Sequence, residues 1–164
     1  MAAETLQTKE ATRSAPARVI PTGTVSIPFI YTTTSDLDFY ESSGNDYLEL
    51  CKVPAGCHIV EASIASSAAP DAATASARIL FEYKQGSETE VAIGAAINSA
   101  AADTIYRAGE IVVTDDSKED AVVRIKLSVS SGTTASKWPS GTVISGVVAY
   151  TLQTSERFVT AAGQ

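Results

Sequence analysis

Few side chains in this sequence of 164 residues are equipped for chemistry. Cys51 and Cys57 flank the step Pro54-Ala55-Gly56, and the single histidine, His58, follows directly. Nucleophilic catalysis needs a serine or cysteine with a base, and one histidine leaves little from which to assemble a triad. No G-x-S-x-G elbow is present. Gly132-Thr133-Thr134 and Gly141-Thr142 lack the lysine and glycine spacing of a phosphate loop. Asp115, Asp116, Glu119 and Asp120 form an acidic run without the ligand spacing or turn glycine of an EF-hand, so it reads as a solvated turn. A carboxylate pair of the glycosidase kind is singled out nowhere. Trp138, beside Pro139 in a Ser/Thr/Gly stretch, could stack on a sugar, anchor a protein contact or fold back onto the edge of its own domain, and it is kept as a contact candidate. No cofactor, catalytic residue or metal ligand is expected.

Composition points the same way. Ala, Ser and Thr supply 63 of the residues, while Trp and Met occur once each. Charged residues make up 19%, and the net charge is -7. A sequence pI near 4.6 argues against nucleic acid, whose binders carry a basic patch. No window approaches the roughly 18 apolar residues of a membrane helix, so no membrane partner is expected. Residues 1–18 contain no continuous apolar stretch, which argues against a secretory signal. Without such a signal the two cysteines read as free thiols.

The elements that must carry these residues are strands. Residues 1–23 read as an extended or disordered arm, punctuated by Pro16, Pro21 and Gly23, with a net charge of +1 before Val19. Residues 24–154 read as one β-sandwich domain, and 155–164 as a tail. Val25, Ile27, Phe29 and Tyr31 alternate along a first strand, and Pro28 places it at a sheet edge. Leu48 and Leu50, then Val60, Ala62 and Ile64, alternate on either side of Pro54-Ala55-Gly56, a pattern that predicts a hairpin with Leu50 opposite Val60. In that register Glu49 would face Glu61. Residues 121–130 alternate cleanly; residues 75–84 alternate except that Leu80 shares the polar side, which points to partial cover there; and residues 91–102 are Ala-rich with room for a helical turn. Residues 142–152 are apolar on both faces, which suits a central strand or one under an interface. Seven to nine short strands without a sustained helix predict an all-β fold, an antiparallel β-sandwich or jelly roll with an extended N-terminal arm.

The segment Leu48-Glu49-Leu50-Cys51-Lys52-Val53-Pro54-Ala55-Gly56, the alternating strand 59–64, the Ala-rich stretch 92–102 and the closing Gly141-Thr142-Val143 with Val147-Val148-Ala149-Tyr150 share a character. Together they resemble a family of tailed-bacteriophage proteins, the capsid decoration (cement) or head-stabilising proteins. The resemblance spans roughly residues 24–152. It implies a non-enzymatic virion subunit, a homo-oligomer of trimeric form, seated on the outer capsid surface and bound to the major capsid protein. The alternative reading is a phage tail, baseplate or carbohydrate-binding adhesion module. Candidate contact residues are Arg13, Arg18, Val19 and Ile20 of the arm, Trp138, and Val143, Val147 and Tyr150 of the last strand.

Overall fold

The structure is a computed structural model describing residues 5–8, 11, 23–34, 37–39, 47–72, 77–98, 100–108, 112–129 and 136–152. In chain order the strands are β1 (Thr5–Gln7), β2 (Thr24–Thr32), β3 (Leu37–Phe39), β4 (Tyr47–Val53), β5 (Cys57–Ser66), β6 (Asp71–Ala72) and β7 (Ala77–Gln85). They continue with β8 (Val91–Ala92), β9 (Ile97–Asn98), β10 (Tyr106–Ala108), β11 (Val112–Val113), β12 (Ala121–Val129), β13 (Ser136–Trp138) and β14 (Val143–Leu152). The fold is an all-β sandwich. The first sheet runs β1-β4-β12-β7-β8, with β9 also on β7. The second runs β10-β5-β14-β2, with β11 also on β5. A small third sheet orders β3-β13-β6. All pairings are antiparallel except that of β1 with β4.

Alternation explains the core. Ala121, Val123, Ile125 and Leu127 of β12 are buried, and so are Ile79, Phe81 and Tyr83 of β7. From the second sheet come Cys57, Ile59, Ala62 and Ile64 of β5, Ile144, Val148 and Tyr150 of β14, and Phe29 of β2. These rows merge into one hydrophobic cluster, as two apolar sheet faces must when they pack about 10 Å apart. The β2 strand lies at the edge of its sheet, where a proline without an amide proton is tolerated.

The expected hairpin is not there. β4 pairs with β12 and β1, whereas β5 pairs with β14, β10 and β11. Pro54-Ala55-Gly56 instead turns the chain from one sheet into the other. Its backbone is held from outside the turn: Ala55 N–H donates to Asp120 Oδ1 at 3.2 Å, and Cys57 N–H donates to Thr114 Oγ1 at 2.9 Å. Gly56 has φ 72°, and a Cβ there would meet Asp116 Cβ at 2.7 Å. Period-2 alternation shows which side of a strand is apolar. It does not distinguish a neighbour lying beside the strand from one lying across the core. With the two strands in separate sheets, Glu49 no longer faces Glu61.

One further segment differs from expectation, and another gains detail. Residues 91–102 hold β8 and β9 rather than a helical turn; Ile93 N–H donates to Phe81 O at 2.8 Å, sheet-fashion. The segment read as an arm contains β1, which adds in parallel to the exposed edge of β4. Thr8 N–H continues that pairing to Glu49 O at 2.9 Å, and the Thr8 hydroxyl bonds Leu50 O. Main-chain pairing at an open edge needs no side-chain period, so no alternation announced it.

Candidate functional site

The residues with chemical potential are placed as follows. Cys51 and Cys57 are both buried, and no disulfide joins them. Burial pushes the Cys57 thiol above its ordinary range, with the Thr114 hydroxyl opposing, so it is not poised as a nucleophile. His58 lies on β5 with its Nε2 enclosed and no hydrogen-bond partner among the described residues. In the acidic run, the Ser117 hydroxyl and backbone N–H both donate to Asp115 Oδ1, at 2.7 and 2.9 Å, and lower the pKa of that carboxyl. Among the described residues no three His, Cys, Asp or Glu side chains are grouped to hold a metal ion.

One open depression of about 270 Å³ lies beside that run, lined by Tyr83, Gln85, Glu88, Val91, Asp115 and Lys118 among others. Its polar groups are engaged with one another. The Gln85 amide donates to Asp115 O at 2.9 Å and Glu119 O at 2.8 Å, and its oxygen accepts from Asp115 N–H at 3.0 Å. Lys118 Nζ sits 2.7 Å from Glu88. These bonds tie the acidic loop to the end of β7 and leave no convergent polar set for a ligand.

Trp138 requires a correction. It sits on β13, fully buried in the core cluster, so it offers neither a sugar platform nor a surface anchor. A Trp in a Ser/Thr/Gly stretch looked exposed because its neighbours are polar; the small third sheet folds it inward. Tyr150 is corrected likewise: at 2% exposure its ring belongs to the core, and burial raises its pKa. Val143 is exposed and Val147 half-buried, both on the outward side of β14. Arg13, Arg18, Val19 and Ile20 lie outside the described residues, as does the tail 155–164.

What remains are the two outer faces of the sandwich, and they differ in kind. On the first sheet, Glu49 and Lys52 of β4 lie beside Arg124 and Val122 of β12, and those beside Glu82 and Lys84 of β7. Arg124 is the centre. Its Nε contacts Glu82 Oε1 at 2.6 Å, its Nη2 contacts Glu90 Oε1 at 2.7 Å, and the guanidinium lies 4.0 Å from the Tyr47 ring centroid. Lys126 adds a contact to Glu82 at 3.2 Å. Arg124 and Glu82 are both buried, although alternation points them outward. The Glu90 carboxyl, bonded by its own backbone amide and then by Arg124, is held down to about 2.

The second sheet presents another surface. Register places Thr24, Ser26, Pro28, Ile30 and Thr32 of β2 opposite Thr151, Ala149, Val147, Ser145 and Val143 of β14. Beyond them lie His58, Glu61, Ser63 and Ala65 of β5, then Arg107 of β10 and Val113 of β11. Among the described residues its only charged side chains are Glu61 and Arg107, which pair at 3.2 Å. Gly146 keeps this sheet close-packed from beneath. A Cβ at that position would meet Ser63 O at 1.9 Å and the Phe29 ring at 2.6 Å.

No protein-family model matches the chain, and no curated protein matches it. Solved structures do. A chain from the capsid of Ralstonia phage GP4 is similar at TM-score 0.66 and 16% identity, over 93% of this chain and 100% of that one. A chain from the acidic stable capsid of Helicobacter pylori bacteriophage KHP30 matches at TM-score 0.46 and 14% identity, over 79% of this chain and 94% of that one. The chain therefore shares its sandwich fold, nearly end to end, with a chain found in the capsid of Ralstonia phage GP4.

Proposed function

We propose that the chain is a non-enzymatic structural subunit of a phage virion, of the decoration (cement) kind, which binds the major capsid protein on the outer surface of the assembled head. The observation that carries this reading is the end-to-end fold likeness to a chain from the capsid of Ralstonia phage GP4. Two features support it. The groups that could do chemistry are buried, self-paired or solvated, and one sheet face is built mostly from small and apolar side chains, with a single acid and base paired to each other, so that it desolvates at little cost. The subunit acts as a homo-oligomer, a trimer in the form that the family resemblance implies. Residues 1–23, with Arg13, Arg18, Val19 and Ile20, supply an arm that adds main-chain hydrogen bonds to a neighbour.

Copurification tests this directly. The chain should travel with purified particles in a constant ratio to the major capsid protein, and particles lacking it should lose their contents at lower temperature. A chain found only free in the lysate would end the proposal. Deleting residues 2–20 should weaken particle binding, and unchanged binding would remove the arm's assigned role.

A further inference from the structure

Among the described residues five large hydrophobics are exposed; Ile30 at 63%, Val113 at 50% and Val143 at 36% stand on strands of the second sheet, and Ile105 at 66% directly precedes its strand β10. Ile30 and Val143 stand on neighbouring strands, and Ile105 precedes Arg107 on its side of the alternation. The positions between them carry Ser, Thr, Ala, Val and Pro, with His58 and the paired Glu61 and Arg107 toward the β10 and β11 edge. Exposed apolar side chains gathered on one sheet face are the usual mark of an interaction surface.

We propose that this face is covered by a second copy of the same chain, packed sheet against sheet about a two-fold axis. The assignment rests on reading the chain as an assembling subunit, and it names the surface that does so.

Charge selects the occupant. The chain carries a net -7, so two copies repel one another through most orientations. This face is the exception, because Glu61 and Arg107 cancel. A patch with one acid and one base is also complementary to itself: after a two-fold rotation, each Arg107 can face the other copy's Glu61. The first sheet's outer face has no such property, since its Arg124 and Glu82 are buried and cannot reach a second copy, whereas Glu61 and Arg107 are exposed and can exchange partners.

Area agrees. Four strands span about 20 Å and the nine residues of β2 about 30 Å, giving about 600 Å² per copy. The total of about 1,200 Å² reaches the lower limit for a specific interface. Such a contact is reversible at low concentration. A trimer built through other surfaces would be joined to its neighbours by it.

The test is the solution mass of the purified full-length chain, by sedimentation velocity with light scattering, over a hundredfold concentration range. The wild type should reach an even multiple of the 17.0 kDa chain mass. Ile30→Lys and Ile105→Lys should each halve that mass, while Val91→Lys, on the other sheet, should not. Both substituted side chains are solvent-exposed, so melting curves within a few degrees of wild type would confirm intact folding. A wild type that stays monomeric or trimeric, or a mass unmoved by both lysines, would overturn the proposal. A wild type that remains monomeric yet copurifies with particles would overturn the second-copy assignment and leave the virion reading standing.

Discussion

The two outer faces of this sandwich solve opposite problems with the same backbone. The first sheet turns outward a row of long charged side chains and buries two of them, Arg124 and Glu82, beneath their neighbours. The second turns outward short, uncharged side chains and leaves its largest hydrophobics in solvent. A buried charge is tolerable only with a partner at hand, so the first face is closed upon itself. An apolar side chain in water has no such constraint, so the second face stays open to an external partner.

The sharpest way to break the contrast is to disturb the closed face. Arg124→Met should cost about 3 kcal/mol, because Glu82 would remain buried without its main counter-charge. For a chain of this size that lowers the Tm by about 6–12 °C. The double variant Arg124→Met with Glu82→Met should recover most of the loss, and a double variant as unstable as the single would show that packing, not charge, holds this face. Next is Gly146→Ala in the open sheet. The new Cβ collides with backbone, so a loss of about 2–3 kcal/mol is expected in urea unfolding. Wild-type stability there would mean that β14 can move away from β5 freely.

Acid should distinguish the faces more gently. The folded-state pKa of Glu90 is depressed from 4.5 to about 2, so its contribution is present above the unfolded value near 4.5. It is lost as pH falls through about 2. Because the carboxyl is 39% exposed, the effect is screened to about 1 kcal/mol at most. Glu90→Gln should flatten the fall in urea midpoint between pH 5 and pH 2; an unchanged slope would assign acid sensitivity elsewhere. The smallest effect belongs to Ser145→Lys on the open face. Subunit stability should shift by less than about 0.5 kcal/mol, measured at concentrations low enough to keep the chain monomeric.

How much of this was legible depended on the range of the interaction. Inner rows such as Ile79-Phe81-Tyr83 and Val123-Ile125-Leu127 were readable because a strand's two sides are set by strict alternation. Pro28 announced an edge strand by lacking a donor. Leu80, apolar on a polar side, pointed to partial cover over β7, where Glu82 is indeed buried. The hairpin at Pro54-Ala55-Gly56 was misread because two strands facing across a core carry the same local pattern as two strands side by side. Trp138 was misread because polar neighbours describe a loop's path and not the direction of one ring. The burial of Arg124 had no local signal at all, since Tyr47, Glu82 and Glu90 reach it from separate segments.

By itself, then, the sequence determined that the chain would be strands, which residues would line most strands' apolar sides, and that β2 and β14 would carry no charge outward; on β5 the expected Val60 gives way to Ile59, because the register with β14 shifts there. These follow from the two-residue repeat and from composition, which are properties of neighbours in the chain. Tertiary structure alone decided that β4 and β5 part company at a corner, that Trp138 and Tyr150 are core, and that one outer face is sealed by ion pairs while the other lies open. Those outcomes depend on which distant segments meet, and the pleat of a strand is the same whichever neighbour it finds.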